Sequence, residues 1–116
     1  MEDLSECMDR YAALYFPRKN GKAYFEHCRV VEEATGEWPE AFPLPEVPEA
    51  GEEIWDWYWD LRDRAGGGFS GPEPLKYSEI DAWLRLNRHD LSVLELDMLK
   101  QLDDSFMANY HKLKEK

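Results

Sequence analysis

Cysteine is nearly absent: the 116 residues hold only Cys7 and Cys28. Small secreted domains lean on dense disulfides. Two thiols therefore point to a reducing compartment, and an intracellular protein is the expectation. Metal-ligand spacing is missing as well. His27 adjoins Cys28, yet two thiols and one imidazole do not make the paired pattern of a structural zinc site. No metal and no cofactor is expected. No apolar run approaches the roughly 20 residues of a membrane span. The opening residues, MEDLSECMDRYAAL, begin with acids where a secretory leader would carry Lys or Arg. Cations are few, with 14 Lys and Arg against 25 Asp and Glu, for a formal net charge of −11. They gather only at Lys112, Lys114 and Lys116. Gripping a phosphate backbone takes clustered cations, and anionic lipid repels this sign. Direct contact with nucleic acid or a membrane is therefore not expected.

Catalytic sets are also missing. An enzyme would show a nucleophile with its base, a carboxylate pair in a cleft, or a metal set. His27, His89 and His111 stand apart from such company. Asp56, Asp60 and Asp63 form a helical stripe with Arg62 and Arg64 as ordinary charge partners. Asp103 and Asp104 read as helix surface or a local cap. The Glu-x-x-His motif of helix-bundle metal sites does not occur. The chain reads as non-enzymatic.

What the chain does have is aromatic surface. Hydrophobic residues make up 43% and charged residues 34%, enough for one soluble helical domain over residues 1–116. The densest stretch is Glu52 to Arg64, EEIWDWYWDLRDR. As a helix it sets Trp55 and Trp59 on one face and Ile54, Tyr58 and Leu61 on the next, with Trp57 partly off the stripe. Such a helix is either the centre of a small core or a face covered by a partner, since Trp and Tyr are enriched at binding hot spots.

The remaining segments also carry helical periods. Leu4, Met8, Tyr11 and Tyr15 share a face over Glu2 to Phe16, and Pro17 with Gly21 ends it. A second helix fits Lys22 to Thr35, with Tyr24, Phe25, Cys28 and Val31 inward and Gly36 as its cap. The two form a helical hairpin over residues 1–36. Residues 37–51 read EWPEAFPLPEVPEAG, an extended, acidic, Pro-rich connector between helices 2 and 3. The run GGGFSG satisfies GxGxxG only formally, because it follows a helix and leads into Pro72 and Pro74. It is read as a loop that Phe69 folds back to anchor. Ser78 with Asp81, and Ser92 with Glu95, form capping-box patterns opening two more helices. Ile80, Trp83, Leu84 and Leu86 are expected inward in the first. Leu96, Leu99, Leu102, Phe106, Tyr110 and Leu113 line the second. The expectation is an all-α fold, a small bundle of about five helices.

Residues 50 to 110 also resemble a known family. The aromatic helix with Trp59, Leu61, Arg62 and Arg64, the Pro74–Leu75 entry, Ile80–Trp83, the Leu91-Ser92-x-x-Glu95 start and Leu102–Asp103 with Phe106 together resemble bacteriophage tail assembly chaperones and their frameshift-extension or accessory proteins. That resemblance implies a non-enzymatic protein of the host bacterial cytoplasm, binding tape-measure helices or tail-tube subunits. Homo-oligomers are compatible with it. Trp55, Tyr58, Trp59, Leu99 and Phe106 are the candidate partner-binding residues, each with a core role as its competing reading. A second hypothesis is a small acidic phage-type inhibitor that imitates nucleic acid. It draws on Glu46, Glu49, Glu52, Glu53, Asp56 and Asp60, which follow one another closely.

Overall fold

Helix boundaries follow the stop signals of the chain. The computed structural model describes residues 4–65, 67–68 and 71–115. Within them lie five α-helices, α1 (Leu4–Tyr15), α2 (Tyr24–Thr35), α3 (Glu52–Arg64), α4 (Tyr77–Asn87) and α5 (Val93–Lys114). The fold is an all-α bundle. Pro17 follows α1, and Gly36 ends α2 at φ 80°, a left-handed cap conformation that glycine adopts without strain. Residues 37 to 48 form neither helix nor strand. A single 3-10 turn, Glu49–Gly51, then feeds α3. Gly51 packs closely there: a Cβ would lie 2.7 Å from Leu4 Cδ2, so any larger residue makes the Leu4 side chain shift.

The glycine-rich loop holds a minimal antiparallel pair, β1 (Gly67–Gly68) with β2 (Gly71–Pro72). Phe69 lies outside the described residues. Ser92 and Glu95 form the anticipated reciprocal capping box at α5. Ser78 and Asp81 do not form theirs. Helix α4 starts at Tyr77 with Lys76 at its N-cap and no side-chain cap, so Ser78 already lies inside the first turn.

Helix α5 is the spine. It runs along α1 on one side and meets α3 on the other. Leu99, Leu102, Phe106 and Leu113 of α5 are buried with Leu4, Cys7, Met8 and Ala12 of α1, Ile54, Trp55, Tyr58 and Leu61 of α3, and Ile80 and Trp83 of α4. Cα extents of 48 × 35 × 20 Å make the bundle about two helices thick. Helix α2 packs on α1 and adds no residue to this core.

Candidate partner-binding surfaces

The aromatic helix turns its rings inward. Tyr58 and Leu99 have no solvent exposure, and Trp55 and Phe106 are buried. Trp59 alone of the five sequence-predicted binding residues is half-buried. Its ring centroid lies 4.9 Å from Tyr11, 5.7 Å from Trp55 and 5.8 Å from Phe106. The structure does bring these residues together, since Tyr58 and Trp59 both meet Phe106. The expectation that Trp55, Tyr58, Leu99 and Phe106 present a ready surface is corrected: α3 packs on α5, α5 packs on α1, and Tyr11 of α1 sets its ring against Trp55 and Trp59. In the folded chain these side chains are core.

Asp103 is also corrected, from helix surface to buried. Tyr58 OH donates to its Oδ1 at 2.9 Å, Arg62 Nη2 donates to the same oxygen, and the Leu75 backbone N–H donates to Oδ2 at 2.9 Å. Arg62 also donates through Nη1 to the Glu73 carbonyl at 2.7 Å, and its guanidinium lies 4.6 Å from the Phe106 ring centroid. A buried charge survives only when its partners are in place, and here one carboxylate joins α3, the loop before α4, and α5. Burial, reinforced by the Asp103 charge, pushes the Tyr58 phenol well above its ordinary pKa. The phenol therefore holds its proton as a donor. This network holds elements in place and leaves no free nucleophile. Burial likewise raises the pKa of the Cys28 thiol, which disfavours the reactive thiolate.

The outer edge at the α4–α5 corner is different. Trp83 is buried as expected, and its indole N–H donates to Asp60 Oδ2 at 2.6 Å, joining α4 to α3. That bond, with the Arg64 guanidinium, holds the Asp60 carboxyl below the usual range. His89 packs its ring 4.7 Å from Trp57 and 5.1 Å from Trp83. Arg88 closes α4 in the left-handed conformation at φ 55°. Past this edge the aliphatic residues have no cover. Leu86 is 84% exposed, Val93 79% and Leu94 70%. Leu86 also lines a cleft of about 230 Å³ whose walls include Leu61, Ala65, Ala82 and Trp83. Leu86 is thus corrected from inward to exposed, because α4 ends one residue later and nothing among the described residues packs beyond it. A signal for this surface was available. Four aliphatic residues, Leu86, Leu91, Val93 and Leu94, fall within nine positions around a polar turn, Asn87 to Asp90, too short to cover them all.

A second lightly covered region is α2 with the connector. Phe25 stacks on Tyr15 at 4.9 Å and approaches Trp38 at 5.9 Å, while Tyr24 meets Phe42 at 4.8 Å. These rings lie outside the main core and join it through Tyr15, whose ring centroid is 4.6 Å from that of Tyr11.

Fold and surface together define a small acidic all-α protein that leaves large aliphatic side chains outside a full core. A family model of phage tail assembly chaperones matches residues 31–108, from the second half of α2 to the late turns of α5. The chain belongs to that family. No curated protein and no solved structure matches it. The match reaches further toward the N-terminus than the resemblance over residues 50 to 110, and it leaves α1 outside. No described helix is long and apolar enough to cross a membrane.

Proposed function

We propose that this chain shields the apolar helices of a phage tape-measure protein, or the subunits of the tail tube, in the bacterial cytoplasm until assembly, and does so by binding alone. The contact surface is the α4–α5 corner, where Leu86 lines the cleft beside Trp83 and Val93 and Leu94 stand exposed at the start of α5. Their exposure is the observation that carries the reading, and all three fall inside the family-matched segment. Burying a Val or Leu side chain contributes about 1.5–3 kcal/mol. Large apolar groups left outside a completed core are what a partner helix engages. The net charge of −11 keeps such a surface soluble in the meantime.

Co-expression with the tape-measure protein, followed by capture across a salt series, tests this. Capture that withstands salt, and is lost on combining Leu86→Ser, Val93→Ser and Leu94→Ser in a folded chain, is the expected result. No capture at any salt overturns it. The exposed carboxylates of Glu46, Glu49, Glu52, Glu53 and Asp56 favour the second reading, a nucleic-acid mimic. It predicts instead a host target released steeply as salt rises.

A further inference from the structure

We propose that the cavity at the α1–α2 turn receives an acidic segment of a protein partner, with Lys22 and His27 donating to its carboxylates beside a wall made by Arg18 and Tyr24. This goes beyond the corner contact and stands without it, since these four residues lie outside the family-matched segment 31–108.

Charge is the first support. The chain carries 25 acids, yet none falls between Asp9 and Glu26, where Arg10, Arg18, Lys19 and Lys22 stand. Cations thus gather at a second place besides the tail lysines. Folding puts Arg18, Lys22 and His27 on the lining of one open cavity of about 680 Å³, with Glu26 as the only acid on it. Ligand-binding clefts commonly measure roughly 300–1,000 Å³, so there is room for a few residues of an extended segment.

One wall is built in advance. Arg18 donates through Nη1 to the Phe16 carbonyl at 2.6 Å and through Nη2 to the Ala13 carbonyl at 2.7 Å, which pins its guanidinium at the end of α1. The pinned charge lies 4.4 Å from the Tyr24 ring centroid, and Phe42 backs that ring at 4.8 Å. Closing the end of α1 accounts for Arg18 without a ligand. It does not account for Lys22 and His27. Both are exposed, and among the described residues neither side chain forms an ion pair or hydrogen bond, even with Glu26 on the same lining. Arg29, Arg64 and Arg85, by contrast, each pair with a carboxylate one helical turn away. The charge balance also selects the occupant. A nucleic-acid backbone would extend past this small patch onto a surface whose net charge of −11 repels it. A short acidic segment brings few charges, and an apolar side chain beside them can lie on Tyr24, which is 43% exposed.

Fluorescein-labelled hexaglutamate, titrated with the full chain and followed by anisotropy, tests this without the tape measure. It should bind, and binding should weaken as salt rises. Lys22→Glu and His27→Glu, at exposed positions with no side-chain bond to lose, should each weaken it by about tenfold or more. Lys112→Glu changes the net charge as much as Lys22→Glu does, but on exposed α5 surface, and should leave binding unchanged. The combined Leu86→Ser, Val93→Ser and Leu94→Ser chain should also bind hexaglutamate normally. No binding, or equal weakening by Lys22→Glu and Lys112→Glu, overturns the proposal. So does tighter binding of a labelled oligothymidylate, which would make the cavity a phosphate site. Sedimentation of the chain alone covers the remaining occupant: a dimer that Lys22→Glu abolishes would give the cavity to a second copy and overturn the partner assignment. Failure of tape-measure capture with success of hexaglutamate would remove the proposed function and leave the cavity standing.

Discussion

Tyr58 and Phe25 are both aromatic residues on a helix, and the chain treats them differently. Tyr58 is packed against Trp59 and Phe106, hydrogen-bonded to Asp103 and closed to solvent. Phe25 is half-buried between Tyr15 and Trp38, and the side-chain polar bonds of its helix among the described residues are local. The first arrangement fixes three elements through buried polar groups that must stay paired. The second relies on stacking, worth about 0.5–1.5 kcal/mol per pair beyond area burial. One region is built to persist and the other to yield.

The largest test of the contrast is Asp103→Ala. It leaves the Arg62 guanidinium and the Tyr58 hydroxyl buried without their acceptor, and a loss of about 3–5 kcal/mol is expected in denaturant unfolding. A loss below about 1 kcal/mol would show that water reaches the network and that the core is not sealed. Next is alkaline pH. The folded chain keeps the proton on Tyr58, and on Tyr11, whose pKa burial also raises. An unfolded tyrosine releases its proton near pH 10. Stability should therefore be intact below about pH 10 and fall above it, by up to about 1.4 kcal/mol per pH unit for each such group. A flat profile to pH 11.5 would place both phenols in water. The smallest effect belongs to the yielding region: Phe25→Ala should cost under about 2 kcal/mol. A cost of 3 kcal/mol or more would make α2 part of the core.

Much of the fold was legible in the sequence, because local chemistry decides it. Pro17, Gly36 and the Ser92–Glu95 box mark helix ends wherever the rest of the chain lies, and α3 occupies the Glu52 to Arg64 stretch expected of it. Periodicity showed that Tyr58, Leu99 and Phe106 share apolar faces. It could not decide what covers them, since a core and a binding face use the same residues. The cover comes from elements distant in sequence: Tyr58 meets Asp103 and Phe106 of α5, and Phe106 in turn meets Phe16, ninety residues away. Asp103 was misread for the same reason. Beside Asp104 it looks like ordinary helix surface, and its burial depends on Arg62 and Leu75 arriving from other elements. Leu86 failed in the opposite direction, because its spacing matches a core stripe while the bundle ends before reaching it.

The most direct test is residue-resolved hydrogen exchange on the chain alone and with the tape-measure protein bound. Binding should slow exchange across Leu86 to Leu94 and leave α3 as protected as in the free chain. Loss of protection in α3 on binding would contradict the account, for it would mean that the aromatic core opens to receive its partner.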